Sequence, residues 1–140
     1  MTPFPLSFEH VGVRVTDRRR ALDFYALLGF RIDPDYSTER VAEIVSPAGV
    51  RLNLIFNGKA PPERLNVLMD VPDKWPGFTH AAFVVGSMAE FLAWASLHSI
   101  VVTEGPVDWE RRTTCFVRDP DGNVLEFNEL IPPERRLAPC

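Results

Sequence analysis

The stretch that decides the fold runs from Phe8 to Ile32 and reads FEHVGVRVTDRRRALDFYALLGFRI. Residues 78–102, FTHAAFVVGSMAEFLAWASLHSIVV, align with it without a gap at an offset of 70, so that His10 falls on His80. Self-similarity at a fixed spacing is the signature of a repeated structural unit. The sequence therefore predicts two copies of one unit.

A second match extends the repeat. SPAGVRLNL at 46–54 aligns with DPDGNVLEF at 119–127 at an offset of 73, and each stretch has a proline two residues before a glycine. Each half alone is short for a stable core, so both are predicted to belong to a single domain over 1–140. Its parts are module one at about 6–57, a linker at about 58–76, module two at about 77–130 and a tail at 131–140.

The hydrophobic pattern within each half predicts the order β-α-β-β-β, which is an α+β class. Residues 10–15 alternate with period 2, as half-buried strands do, and the apolar positions that follow recur at helical spacing. Asp17 and Ser87 are predicted to cap the two helices, and Gly29 to end the first. The other strands are predicted at 31–32, 42–46, 51–56, 101–103, 113–117 and 124–128.

Composition narrows the classes of function. The chain has 140 residues, 46% of them apolar, and a net charge of -4 from 15 basic and 19 acidic residues, which disfavours nucleic acid as a partner. No apolar run reaches the roughly 18 to 20 residues that span a bilayer, and no secretory signal is visible. Cys115 and Cys140 form a poor disulfide framework. We therefore expect a cytoplasmic protein without a membrane partner.

Strand alternation predicts where the chemistry lies. If the valines of the first strand pack under the helix, His10 lies on the opposite face, and the same count places His80 and Glu126 there. Two imidazoles and one carboxylate suit a divalent metal and leave positions open for water or substrate. The pattern predicts a metal site of these three residues. Asn53, the counterpart of Glu126, is a candidate weak fourth ligand.

Two arginines project onto the same face by the same count. Arg14 follows His10 in the first strand, and Arg51 precedes Asn53 in the last strand of the first half. A guanidinium group pairs well with a carboxylate. We expect Arg14 and Arg51 to contact a small, anionic substrate.

These residues resemble a known superfamily, the vicinal oxygen chelate proteins, which include glyoxalase I, extradiol dioxygenases, fosfomycin-resistance enzymes and bleomycin-resistance binding proteins. The matching elements are FEHVGVRV, D-x-x-x-A-x-x-F-Y, L-G-F, FTHAAFVV and FVRDPDGNVLEFNE. The resemblance implies paired βαβββ modules forming a curved mixed sheet, an incomplete barrel, around one divalent ion of iron, manganese, nickel or zinc. It also implies His10, Asn53, His80 and Glu126 as the ligand positions, and a homodimer.

The resemblance leaves three functions open. The first is a metal-dependent enzyme, lyase- or isomerase-like, that acts through two neighbouring oxygens of a small substrate, with Glu126 as the catalytic group. The second is an extradiol dioxygenase with iron(II), because Asn53 replaces the glutamate that glyoxalase I has there. In that class a tyrosine stands where this chain has Phe116, a candidate substrate contact. The third is a non-catalytic binding protein of the bleomycin-resistance type.

Overall fold

A computed structural model describes residues 1–135 of the chain. Residues 136–140, which include Cys140 and the end of the predicted tail, lie outside the described residues. The chain divides into two compact units, one from Met1 to Pro61 and one that begins at Pro62. The boundary falls within the predicted linker. The single-domain interpretation concerns the association of these units and stays a prediction.

The first unit is one open, four-stranded mixed sheet with one helix. Strand β1 runs parallel to β4, while β3 pairs antiparallel with both β4 and β2, which gives the order β1-β4-β3-β2. The elements are β1 (Val11–Arg14), α1 (Arg18–Leu27), β2 (Arg31–Ile32), β3 (Val41–Val45) and β4 (Arg51–Ile55).

The second unit repeats that topology. Its sheet has the order β5-β8-β7-β6, and β5 runs parallel to β8 as β1 does to β4. Each unit is therefore β-α-β-β-β, which confirms the predicted modules; the two sheets are open and neither is a closed barrel. The elements are β5 (His80–Val84), α2 (Met88–Leu97), β6 (Val102–Asp108), β7 (Arg112–Arg118) and β8 (Val124–Leu130).

The helix boundaries lie where the sequence signals predict them. The side chain of Asp17 accepts a hydrogen bond from the Arg20 N–H at 2.7 Å, and Ser87 Oγ accepts one from the Glu90 N–H at 3.2 Å. Each cap satisfies a backbone donor that has no partner within its helix. Gly29 follows the first helix with φ of +89°, a conformation that glycine adopts without steric cost.

Aromatic side chains fill the core of each unit. In the first, Tyr25 is fully buried and meets the Phe30 ring edge-on at 5.9 Å. In the second, the ring of Phe127 stacks on Phe91 at 4.3 Å and on Phe83 at 5.6 Å, and so joins β8 to α2 and β5. Such large apolar surfaces dominate the energetics of small cores. These contacts set which face of each sheet is turned towards its helix.

The opposite faces carry the polar residues, as the alternation predicts. Leu52 and Leu54 of β4 are buried, whereas Asn53 between them is turned to the other side. In β8 the buried Leu125 and Phe127 flank Glu126 in the same way. We call the sides that bear Asn53 and Glu126 the inner faces of the two sheets.

Strand β6 departs from the prediction. The sequence predicts it at 101–103, but it continues to Asp108, with register shifts against β7 between Val102 and Glu104 and between Glu104 and Val107. A Cβ added at Gly105 would lie 2.6 Å from the Thr114 carbonyl oxygen. Glycine therefore permits a close approach of two backbones here, whereas a Gly-Pro pair read from sequence alone indicates a turn.

Neither helix can cross a membrane: within residues 1–135, both are ten residues long and lack the required apolar length.

Candidate functional site

Strand register places the predicted ligand positions at equivalent points of the two sheets. In the first, Asn53 is paired with Gly12 on one side and with Glu43 on the other. In the second, Glu126 is paired with Ala82 and with Phe116. Directly paired residues point to the same face of a sheet. The equivalent pairs are therefore Asn53 with Glu126, Glu43 with Phe116, and His10 with His80.

The second unit brings two predicted ligands into direct contact. His80 Nε2 lies 2.7 Å from Glu126 Oε2, and the two side chains retain 33% and 12% of their exposure. On the other side of the ring, His80 Nδ1 lies 2.9 Å from Thr79 Oγ1. The ring of Phe116 meets the imidazole edge-on at 5.8 Å. His80 is thus held from three directions.

Hydrogen-bond chemistry assigns the proton of neutral His80. A carboxylate can only accept, so Nε2 carries the proton towards Glu126, and Nδ1 accepts from the Thr79 hydroxyl. A hydroxyl group can also accept, so it would equally satisfy an Nδ1–H if Nε2 bound a metal ion. An imidazole nitrogen and a carboxylate oxygen are suitable ligands for divalent iron, manganese, nickel or zinc. The donors of this inner face fit such an ion.

The first unit gives its histidine different partners. His10 Nδ1 lies 3.2 Å from Glu9 Oε1 and 3.5 Å from Glu43 Oε1. These three residues offer ligand atoms that all lie within 4.8 Å of one another. Glu9 is exposed, whereas the side chain of Glu43 is 3% exposed. The inner face of the first unit therefore also carries a carboxylate, that of Glu43. It lies on β3, whereas Glu126 lies on β8, the counterpart of β4.

Arg51 forms an ion pair with the buried carboxylate of Glu43. Its Nη1 donates to Glu43 Oε2 at 2.6 Å and to Asp33 Oδ2 at 3.0 Å. The hydrogen bonds to Asp33 and then to Glu43 raise the pKa of Arg51. Its guanidinium also lies 5.4 Å from the centre of the Tyr36 ring. A buried carboxylate needs such a partner, because an unpaired charge in the interior is costly.

The predicted substrate contacts have these surroundings. Arg14 Nε donates to Asn57 Oδ1 at 2.9 Å, and Arg51 binds the two carboxylates of its own unit. Phe116 packs against His80. The roles of these residues towards a substrate stay predictions, as does the joint ligand set of His10, His80 and Glu126, which draws on both units.

Glu43 is the residue that the sequence reasoning missed. A signal was present: Glu43 lies between Ala42 and Ile44, both buried, so strand alternation puts its carboxylate on the inner face. Repeat comparison hid it, because the equivalent position in the second half is Phe116. Asp33 carried no such signal, since it lies outside the strands and reaches Arg51 across 18 residues of sequence.

Cys115 lies in the core of the second unit. It is fully buried on β7, and burial raises the pKa of its thiol. A neutral thiol is a poor nucleophile and a poor metal ligand. The chemistry of the inner face therefore rests on imidazole and carboxylate groups.

Comparisons with known proteins agree with this fold. Residues 7–127 match the Glyoxalase/Bleomycin resistance protein/Dioxygenase superfamily. A glyoxalase domain-containing protein, RDO1 of Mycosarcoma maydis, is 30% identical over 131 residues, which cover 87% of this chain and 67% of that protein.

Solved structures show the same fold. A glyoxalase/dioxygenase from Nostoc punctiforme superposes with a TM-score of 0.72 at 19% identity, covering 94% of this chain and all of that one. TnmS3, an antibiotic binding protein from Streptomyces sp. CB03234, superposes with a TM-score of 0.64 at 21% identity, covering 91% of this chain and all of that one.

Proteins of this superfamily typically bind a metal ion and bind small molecules. The donor chemistry of the two inner faces is compatible with both properties. The family match spans most of the chain and the repeated β-α-β-β-β topology agrees with it. The chain therefore belongs to the Glyoxalase/Bleomycin resistance protein/Dioxygenase superfamily.

Proposed function

We propose that this protein is a divalent-metal-dependent enzyme, lyase- or isomerase-like, that acts on two neighbouring oxygens of a small substrate. The observation that carries the proposal is the 2.7 Å contact between His80 Nε2 and Glu126 Oε2 on one inner face. His10 occupies the equivalent position of the other unit and completes the proposed ligand set. A homodimer and a cytoplasmic location remain predictions.

Within this proposal each residue has a defined task. His10, His80 and Glu126 would hold the ion, which when bound would supply a Lewis acid that polarises a substrate oxygen. Glu126 also accepts a proton from the carbon beside that oxygen, as a positioned carboxylate can. Asn53 is an amide and cannot act as a base, so proton transfer rests on the second unit. Phe116, packed on His80, keeps water from one side of the imidazole.

The proposal is tested by metal content. We expect protein purified without chelator to contain nearly one divalent ion per chain by mass spectrometry, and the double variant His10→Ala, Glu126→Ala to lose it. His98→Ala is the matched control, because this third histidine is exposed at the end of α2. Equal metal in all three proteins would contradict the proposal.

The identity of the ion then directs the activity assay. Iron would lead to oxygen uptake with catechols, which tests the dioxygenase alternative, and nickel or zinc would lead to thiol adducts of aldehydes. Turnover that survives removal of the ion would refute metal dependence. Turnover that requires Glu126 but not oxygen would support the lyase or isomerase reaction.

A second candidate is a small-molecule binding protein without catalysis. It is favoured by two polar pairs in which side chains of one unit satisfy each other, His80 with Glu126 and Arg51 with Glu43. Among the described residues, every buried side-chain polar atom has a partner. The antibiotic binding protein TnmS3 offers a precedent for such a role within this fold. Tight ligand binding that is unaffected by a chelator would support this candidate.

A further inference from the structure

The surroundings of His10 indicate which of its nitrogens is available to a ligand. Its Nδ1 is within hydrogen-bonding distance of Glu9 Oε1, at 3.2 Å, and makes a longer ion-pair contact with Glu43 Oε1, at 3.5 Å. Carboxylates only accept hydrogen bonds, so both contacts are favourable when Nδ1 carries the proton and repulsive when it presents a lone pair. Neutral His10 then has a free lone pair on Nε2.

Of the two carboxylates, Glu43 is the one with a fixed position. Its backbone N–H donates to Ser37 Oγ at 3.0 Å, its carbonyl accepts from the Asp33 N–H at 2.8 Å, and Arg51 binds Oε2 at 2.6 Å. Its other oxygen, Oε1, is thereby directed at His10. Glu9 is 72% exposed and precedes β1, where an ion pair is weakened by water and by side-chain entropy.

The charge balance around Arg51 also favours an attraction between Glu43 and the N–H of His10. Arg51 contacts two carboxylates, Asp33 and Glu43, so this group of one cation and two anions keeps a net negative charge. Burial of Glu43 lowers the local dielectric constant, which strengthens its attraction for an imidazole N–H. Histidine ligands commonly have a carboxylate behind the ring that sets the tautomer and raises ligand basicity.

We infer that Glu43 is a positioning residue that holds the proton of His10 on Nδ1 and so keeps Nε2 available for the divalent ion. This inference rests on the proposed function, because Glu43 acts through His10, which is one of the proposed metal ligands. It also distinguishes Glu43 from Glu126, which contacts its histidine through Nε2 and is proposed as a ligand. The first unit therefore contributes one proposed ligand, His10, with a carboxylate behind its ring. The second contributes two, His80 and Glu126.

Nitrogen NMR of histidine-labelled protein tests the tautomer directly. In metal-free wild-type protein above the titration range of histidine, we expect His10 to be protonated at Nδ1 and His80 at Nε2. Glu43→Gln replaces an oxygen by an amide donor and is expected to shift His10 towards the Nε2–H form. Glu9→Gln is the matched control and should leave the Nδ1–H form in place.

Zinc affinity measured by chelator competition gives the second readout. We expect Glu43→Gln to bind zinc about 10- to 100-fold more weakly than wild type, and Glu9→Gln to stay within about 3-fold. A wild-type His10 protonated at Nε2, or a tautomer and affinity unchanged in Glu43→Gln, would overturn the inference. If Glu43→Gln does not fold, loss of the Nδ1–H form in Glu9→Gln would overturn it.

The two proposals fail in different ways. A wild-type protein that binds no divalent ion refutes the proposed function, whatever the tautomer of His10. A protein that binds the ion but has His10 protonated at Nε2 when metal-free refutes only the role of Glu43.

Discussion

The two histidines of the repeat occupy equivalent places but meet carboxylates through different nitrogens. His10 faces Glu43 through Nδ1, whereas His80 faces Glu126 through Nε2. The carboxylate lies on the third strand of the first unit and on the last strand of the second. Equal topology therefore does not imply equal chemistry, because a few substitutions around the histidine change which side of the ring is held.

Three further changes would sharpen this comparison, and the largest effect among them is expected at Thr79. Its hydroxyl can donate to or accept from His80 Nδ1, whereas a carboxylate behind His10 only accepts. Thr79→Val removes both options, so we expect zinc affinity to fall about 10-fold, at the lower end for residues behind a ligand. Thr79→Ser should restore it, as measured by chelator competition. Weakening in Thr79→Ser but not in Thr79→Val would indicate a role for the methyl group instead of the hydroxyl.

A smaller effect is expected when the carboxylate of the second unit is copied into the first. Asn53→Glu copies Glu126, but its cross-strand partner is Glu43, whereas Glu126 faces Phe116. Like charges directly opposite on a sheet repel, so we expect the metal-free variant to lose about 1 kcal/mol in unfolding free energy by urea titration. Asn53→Gln matches its size without the charge and should lose less. Equal losses would mean that size, not charge, limits position 53.

The smallest effect concerns a clamp that the first unit lacks. Arg118 stands where the first unit has Val45, and it donates two hydrogen bonds to Asp70, at 2.6 and 2.7 Å. The hydrogen bonds from Arg118 hold the pKa of Asp70 below the ordinary value of an aspartate. The clamp therefore stabilises fully above that value and weakens as the pH falls through the lower, folded-state pKa.

Asp70→Asn is expected to cost about 0.5 kcal/mol at pH 7, as partly exposed ion pairs do. The difference from wild type should shrink in urea titrations as the pH is lowered below the ordinary range of an aspartate. Asp73→Asn, an exposed neighbour, is the control and should have little effect at either pH. A loss that is independent of pH would argue against the ion pair as its cause.

Much of this architecture could be predicted because its signals are local. Alternation gives the strand faces, Asp17 and Ser87 are capping residues, and the repeat gives the order of elements twice. Superfamily membership could also be predicted, because each matching motif is a short local pattern and the motifs together span both halves of the chain.

The remainder depends on distant contacts. Alternation places Arg51 on the inner face, but its partners Asp33 and Glu43 lie 18 and 8 residues away in sequence. The extent of β6 depends on a close approach of Gly105 to Thr114 that no pattern in either segment records. Tertiary contacts decide which partners an ionic group has and whether a strand can contain glycine and proline. Alternation alone does not reveal such contacts.

The pairing of β1 with β4 and of β5 with β8 has a consequence for how such a chain can change over evolutionary time. Within residues 1–135, each strand ladder closes inside its own unit. Among these residues, no ladder hydrogen bond of one sheet involves a strand of the other. A repeated unit of this kind can therefore carry different ligand chemistry on the same topology, as the different places of Glu43 and Glu126 illustrate.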